Sequence, residues 1–187
     1  LAQVVAKTGA RFIPPYNDHR ISTGQGTAAL ELLTEISDLD IVLVPVGGGG
    51  LASGTGIVVK SLSPDTELLG TEPEMADDAY RSFYSQEERI FPSINPRTVA
   101  DGLKTALGDK TYPIIRRHFD GIVTVSESSI IDAMRRIWER MKIIVEPSSA
   151  VPLAAILSEK INISGKRTGI ILSGGNVDLA QLPWQKR

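Results

Sequence analysis

The sequence predicts an α/β fold, a mostly parallel, twisted sheet with helices on both of its faces. Three observations predict it. Short apolar runs at 41–46, 121–125 and 168–172 are rich in Val, Ile and Leu, as strands buried on both faces require. Between them lie longer segments whose apolar residues recur at helical spacing. Finally, the glycine turns at 47–50 and 174–175 each follow a strand, and parallel connectivity gathers such turns on one sheet edge, where ligands of these folds bind.

Residues 1 to 9 read as the end of a helix closed by Gly9, followed by a short strand, Arg11-Phe12-Ile13, that Pro14-Pro15 stops. Asn17-Asp18-His19 is a polar connection. From Ser22, the pattern Ala28-Ala29, Leu32-Leu33 and Ile36 predicts a helix capped by Ser22 or Thr23 and leading into the strand at 41–46. Residues 51 to 62 form the next helix, Glu67 to Gly70 a strand, and Met75 to Phe83 a further helix. The stretch from Ser85 to Gly108, with Pro92 and Pro96, is too polar and broken for a core, and such loops often carry function. A strand at 121–125 then feeds a long helix capped by Ser126. That helix places Ile130, Met134, Ile137, Trp138 and Met141 on one face, a packing stripe rather than a cofactor box. Glu146-Pro147-Ser148-Ser149 breaks it and starts a helix from Ala150 to Leu157. The last strand, 168–172, ends in Ser173-Gly174-Gly175-Asn176.

The run Gly47-Gly48-Gly49-Gly50 is the most informative feature. Side-chain-free residues between a buried strand and a helix let several backbone N–H groups converge on one anion, and the helix start adds its positive dipole end, so a phosphate is the natural guest. A flexible glycine linker is the alternative, but linkers are rarely wedged between a strand and a helix. Leu51-Ala52 stands where a Walker loop needs Lys-Ser/Thr, and no spaced G-x-G-x-x-G opens the helix. The phosphate therefore belongs to something other than ATP or NAD.

The 187 residues suffice for one good core with part of a second domain. A formal net charge of −2 supplies no basic field, so nucleic acid and membrane surfaces are not expected partners. With no cysteine there are no disulfides, cysteine metal sites or thiol nucleophiles. No apolar run approaches a membrane span, and a cytoplasmic home is the expectation. The chain opens on Leu1 in what reads as mid-helix, which suggests a piece of a longer polypeptide.

Five segments in order, Val44-Pro45-Val46-Gly47-Gly48-Gly49-Gly50-Leu51, Gly70-Thr71-Glu72-Pro73, Ala100-Asp101-Gly102, Ile144-Val145-Glu146-Pro147-Ser148-Ser149-Ala150 and Leu172-Ser173-Gly174-Gly175-Asn176-Val177-Asp178, resemble the serine racemase and serine/threonine dehydratase family, fold-type II pyridoxal-phosphate enzymes with a tryptophan-synthase-β-like fold. The resemblance runs through nearly the whole chain and is closest to eukaryotic-type serine racemase. It implies that Gly47, Gly48, Gly49, Gly50 and the backbone of Leu51 hold the phosphate of pyridoxal 5'-phosphate, that Ser173 hydrogen-bonds the pyridine nitrogen, and that Glu146 lies near the ring, with Asn176 near its bed. Structural readings exist beside these: Glu146 could cap the following helix, and Gly174-Gly175-Asn176 could be a tight turn.

Glu72, Ala76 and Asp78 offer two carboxylates and a main-chain carbonyl just past a strand end, hard oxygen ligands suited to Mg²⁺ or to Ca²⁺ or Mn²⁺. Acidic clusters are usually only solvated; the resemblance places a structural or regulatory divalent ion at these three positions. Asp77 is a neighbour rather than a ligand.

On the same resemblance the cofactor is attached to a lysine in an upstream Ser-Phe-Lys-x-Arg-like motif that the 46 residues before the glycines do not contain. Lys60 and Lys104 lack that context, so no catalytic residue is assigned. Residues 1–17 are expected to be a remnant of a small domain, and residues 18–187 the large, cofactor-binding domain, inactive alone. For the full-length protein the resemblance implies a serine racemase with serine/threonine ammonia-lyase activity. Removal of the α-proton leads either to reprotonation on the other face or to loss of the β-hydroxyl, giving a keto acid and ammonia. Threonine or threo-3-hydroxyaspartate dehydratase, or a non-catalytic phosphate-binding fragment, are the alternatives. An amino-acid substrate, a homodimer and an ATP effector are likewise inherited from the family.

Overall fold

A computed structural model describes residues 1–85, 89–91 and 95–185. Four parallel strands, β1 (Ile41–Pro45), β2 (Glu67–Pro73), β3 (Gly121–Val125) and β4 (Thr168–Ile170), make one sheet in the order β3-β2-β1-β4. The fold class is therefore as the sequence predicts. The Ile171 N–H donates to the Leu43 carbonyl at 2.9 Å, carrying the β4 ladder one residue further.

Alternation along β1 divides the core in two. Ile41 and Leu43 point to one face, where α6 (Glu127–Arg136) and α7 (Pro147–Leu157) bury Ile130, Met134, Val151 and Ala154. Val42 and Val44 point to the other, beneath α2 (His19–Glu35), α3 (Gly50–Leu62) and α5 (Thr111–His118). All five residues of β1 are buried, which is why the strand reads as a continuous apolar run. The α2 and α3 helices cross at two glycines. A Cβ on Gly54 would lie 2.2 Å from the Ser22 carbonyl oxygen, so this crossing admits no side chain.

Several expectations are corrected. The helix predicted from Ser22 begins at His19, because Asp18, in extended conformation, accepts the Arg20 N–H and caps it; Ser22 is instead buried against Gly54. Among the described residues, 11–13 pair with no strand, and Phe12 and Ile13 are exposed. The segment at 75–83 divides at Asp77 into a 3₁₀ turn, Glu74–Ala76, and α4 (Asp78–Tyr84). A π turn at Ile137–Met141 ends α6 and swings Met141 off the packing face to 54% exposure, while Ile130, Met134 and Ile137 stay buried. Between 109 and 120, a stretch given no element above, α5 presents Ile115 inward and Arg116, Arg117 and His118 at its basic C-terminus. Pro92, in the predicted loop, lies outside the described residues. Gly9 does close α1 (Ala2–Thr8), at φ 68°.

Candidate functional site

The site is dictated by topology. From β1 the chain proceeds to β2 and β3 on one side, whereas β4 returns to the other, so the crevice beyond the ends of β1 and β4 is the sheet's switch point. Into it fall the turn Gly47–Gly50 after β1 and Ser173 after β4. They share one cavity of about 380 Å³, lined also by Glu146, Gly102 and Leu51.

The glycine turn is a backbone surface from which side chains are excluded. Gly49 has φ 89°, a left-handed conformation, and a Cβ there would lie 2.8 Å from Thr111. A Cβ on Gly48 would lie 2.3 Å from the ring of Tyr16. The first backbone bond into α3 is Ser53 N–H to the Gly49 carbonyl, so the amides of Gly50, Leu51 and Ala52 precede the helical ladder and are available to an anion. The carbonyl of Gly48 is turned away and held by the Thr111 hydroxyl at 2.8 Å.

At the other end, Ser173 and Glu146 are placed by hydrogen bonds to α7 and the β4 loop. The Ser149 hydroxyl accepts the Gly174 N–H at 2.6 Å and lies 3.2 Å from the Ser173 hydroxyl. Glu146 is the N-cap residue of α7 by position, but its side chain makes no capping bond. Its carboxylate accepts the Asn176 N–H at 3.1 Å, while its own N–H donates to the Gly174 carbonyl. The capping reading of Glu146 is thus replaced by a tie between α7 and the β4 loop, with Asn176 anchored through its backbone.

Four further cavity residues are not singled out by the sequence, Tyr16, Gln25, Leu103 and Thr105, and Ser148, within the segment 144–150, is given no role by it. The Thr105 hydroxyl oxygen is buried without a hydrogen-bond partner among the described residues, and Ser148 accepts the Gly102 N–H at 3.1 Å. Two of the quoted segments give a signal, Ala100-Asp101-Gly102 near Thr105 and the segment 144–150 that contains Ser148. These residues, Gln25 on α2 and Ser148 on α7 among them, approach the glycines through tertiary structure, which local patterning does not encode.

Glu72, the penultimate residue of β2, and Ala76 and Asp78, just beyond the strand, lie apart from this cavity. Glu72 and Asp78 are both fully buried. The Glu72 carboxylate accepts the Ala79 and Tyr80 N–H groups at 3.0 and 2.8 Å, whereas neither oxygen of Asp78 has a hydrogen-bond partner among the described residues. Burial, and then the charge of Asp78, push the Glu72 carboxyl well above the ordinary range; burial pushes Asp78 up to about 6. Among the described residues no three His, Cys, Asp or Glu side chains are grouped as a metal site would need.

A family model described as "Pyridoxal-phosphate dependent enzyme" matches residues 1–174. The chain belongs to the pyridoxal-phosphate dependent enzyme family. Within it, the chain is 49% identical over 183 residues to the β-hydroxyaspartate dehydratase of Paracoccus denitrificans (strain Pd 1222), covering 98% of this chain and 58% of that one. It is 47% identical to the serine racemase of Dictyostelium discoideum, over 96% of this chain and 56% of the relative. The solved structure of maize serine racemase superposes with a TM-score of 0.90 at 40% identity, over 95% of this chain and 56% of that one. The chain thus spans a little over half the length of the curated relatives it matches. Pyridoxal phosphate suits the cavity of this family member: a side-chain-free turn with available amides at one end, a hydroxyl at the other, and a volume within the usual range for small-molecule sites.

Proposed function

We propose that the complete protein is a pyridoxal-phosphate-dependent racemase and ammonia-lyase acting on serine or a close β-hydroxy amino acid. The observation that carries this is the single cavity shared by the Gly47–Gly50 turn, Ser173 and Glu146. Gly47, Gly48, Gly49, Gly50 and the Leu51 amide hold the phosphate, and the Ser173 hydroxyl meets the ring nitrogen. Glu146 borders the ring while fixing the β4 loop. When bound, the cofactor supplies the electron sink that acidifies the α-carbon of an amino acid. A hydroxyl is too weak an acid to keep the ring nitrogen protonated, so Ser173 selects a mild sink, suited to quick loss of a leaving group or quick return of a proton. The residues assigned in this chain bind and orient; the lysine that carries the cofactor belongs to an upstream segment, and residues 1–17 to a small domain.

Glu72, the Ala76 carbonyl and Asp78 hold a divalent cation, Mg²⁺ or its congeners Ca²⁺ and Mn²⁺, in this reading. Its support is the buried Asp78 carboxylate, whose oxygens accept no hydrogen bond of normal geometry among the described residues, since a cation relieves both its desolvation and its repulsion with Glu72. A cytoplasmic homodimer with ATP as effector follows from the family resemblance, and sedimentation with and without ATP tests it.

The experiment is to incubate the complete protein, loaded with pyridoxal phosphate, with L-serine, L-threonine and L-threo-3-hydroxyaspartate, measuring D-serine and keto acids. D-serine together with pyruvate supports the reading. Exclusive turnover of 3-hydroxyaspartate replaces racemase by dehydratase, the reading that 49% identity to a β-hydroxyaspartate dehydratase favours. Failure to bind the cofactor at all leaves a non-catalytic module.

A further inference from the structure

The strap at residues 15–17, between the N-terminal segment and α2, contributes Pro15 and Tyr16 to the cavity wall. The Tyr16 ring lies directly on the glycine turn: an ideal Cβ on Gly48 falls 2.3 to 2.5 Å from three of its ring atoms, and one on Gly50 falls 3.0 Å from its Cβ. This seat is explained by the next residue.

The Asn17 side chain is engaged at both ends. Its amide nitrogen donates to Asp109 Oδ1 at 2.6 Å, and its carbonyl oxygen accepts the Lys110 N–H at 3.0 Å. The amide rests against Gly108, where an added Cβ would lie 2.1 Å from Asn17 Oδ1. The same 108–111 turn grips the glycine loop, since the Thr111 hydroxyl donates to the Gly48 carbonyl at 2.8 Å and accepts the Gly108 N–H at 2.8 Å. One turn therefore fixes both the floor of the cradle and the strap over it. The bond from Asn17 is also the largest cause holding the Asp109 carboxyl below its ordinary range.

We infer that Asn17 is a positioning residue: through its two bonds to the 108–111 turn it holds the Tyr16 ring on Gly48, closing one side of the phosphate cradle and slowing the escape of what binds there. The geometry supplies a specific donor and acceptor order, with nitrogen facing Asp109 and oxygen facing Lys110 N–H. Asn17→Leu keeps the size and removes both bonds. Asn17→Asp combined with Asp109→Asn exchanges the two polar groups across the contact and re-forms both bonds, because Asn at 109 then donates and Asp at 17 still accepts the Lys110 N–H.

The inference rests on the proposed cofactor, and the test separates the two. The complete protein is loaded with pyridoxal phosphate, and cofactor release is followed by fluorescence on dilution into a phosphate-binding trap, with the apo-protein's thermal midpoint measured alongside. Asn17→Leu is expected to speed release about tenfold, the worth of a hydrogen bond to a charged group. Tyr16→Ala should match it, adding Asn17→Leu to Tyr16→Ala should change nothing further, and the exchanged pair should return release to within about twofold of wild type. Release unchanged in Asn17→Leu, or an exchanged pair as fast as Asn17→Leu, overturns the inference, including where the thermal midpoint falls. A wild-type protein that retains no cofactor overturns the cofactor reading.

Discussion

The hydroxyl of Ser149, in the first turn of α7, lies 3.2 Å from the hydroxyl of Ser173 beyond β4. A buried residue of one element thereby orients a cavity residue of another, and it also accepts the Gly174 N–H at 2.6 Å. Ser149→Ala strands that N–H and frees the Ser173 hydroxyl to rotate. Equilibrium denaturation should show a loss of about 1–3 kcal/mol. Pyridoxal-phosphate affinity should fall with it; an unchanged affinity would show that Ser173 needs no orientation.

The cradle tolerates no methyl group. Gly49→Ala forces φ 89° on an L-residue and sets a Cβ 2.8 Å from Thr111, so a loss of roughly 2 kcal/mol is expected. For a chain of this length that lowers the thermal midpoint by roughly 4–8 °C. Gly48→Ala should instead displace the Tyr16 ring and spare the backbone. Its signature is lost cofactor retention, with a smaller thermal shift than Gly49→Ala.

The Glu72 and Asp78 carboxyls make stability depend on pH and on cations together. Both have folded-state pKa values raised by burial, Asp78 to about 6, so they favour folding while protonated. Without divalent ions, stability should be greatest below about pH 4 as far as these groups decide it, and should fall as pH rises through about 6. Mg²⁺ favours the ionised pair, so the thermal shift it produces should be larger at about pH 8 than at about pH 5.5. Asp78→Asn should stabilise the cation-free protein at about pH 8 and abolish the Mg²⁺ shift; a shift that survives the substitution removes the metal from this group.

The crossing of α2 and α3 is equally intolerant. Gly54→Ala places a Cβ 2.2 Å from the Ser22 carbonyl oxygen and 2.5 Å from Gly26 N, both backbone atoms that cannot turn aside. The helices must separate, at a cost of about 1–3 kcal/mol, the range of an overpacked core. Gly24→Ala, where no described atom lies within 4 Å, is the control and should be neutral or slightly stabilising.

Much of this was legible because local rules agree with the global fold. A buried strand followed by four glycines announces its own turn, and the β1 alternation of Val42 and Val44 against Ile41 and Leu43 needs two covered faces. What stayed hidden depends on competition or distance. Asp18 overrides Ser22 as a cap through its extended backbone and its bond to the Arg20 N–H. Met141 leaves its stripe because a π turn, invisible to a 3.6-residue period, intervenes. Tyr16 reaches Gly48 across a long stretch of chain, and the Asn17 clip spans 92 residues to Asp109. The sequence of the strap names polar residues but not what they hold.

Both tryptophans of the chain sit in one place. Trp184, near the C-terminus, meets Trp138 edge to face at 5.4 Å, and the Trp138 indole donates to the Val145 carbonyl, one residue before Glu146. Intrinsic emission on excitation of indole therefore reports on the tail's attachment beside α6 and on the doorstep of the cavity. The molecule carries its own optical gauge: a tail that lifts or a Glu146 loop that shifts will change the colour or intensity of its fluorescence without any label.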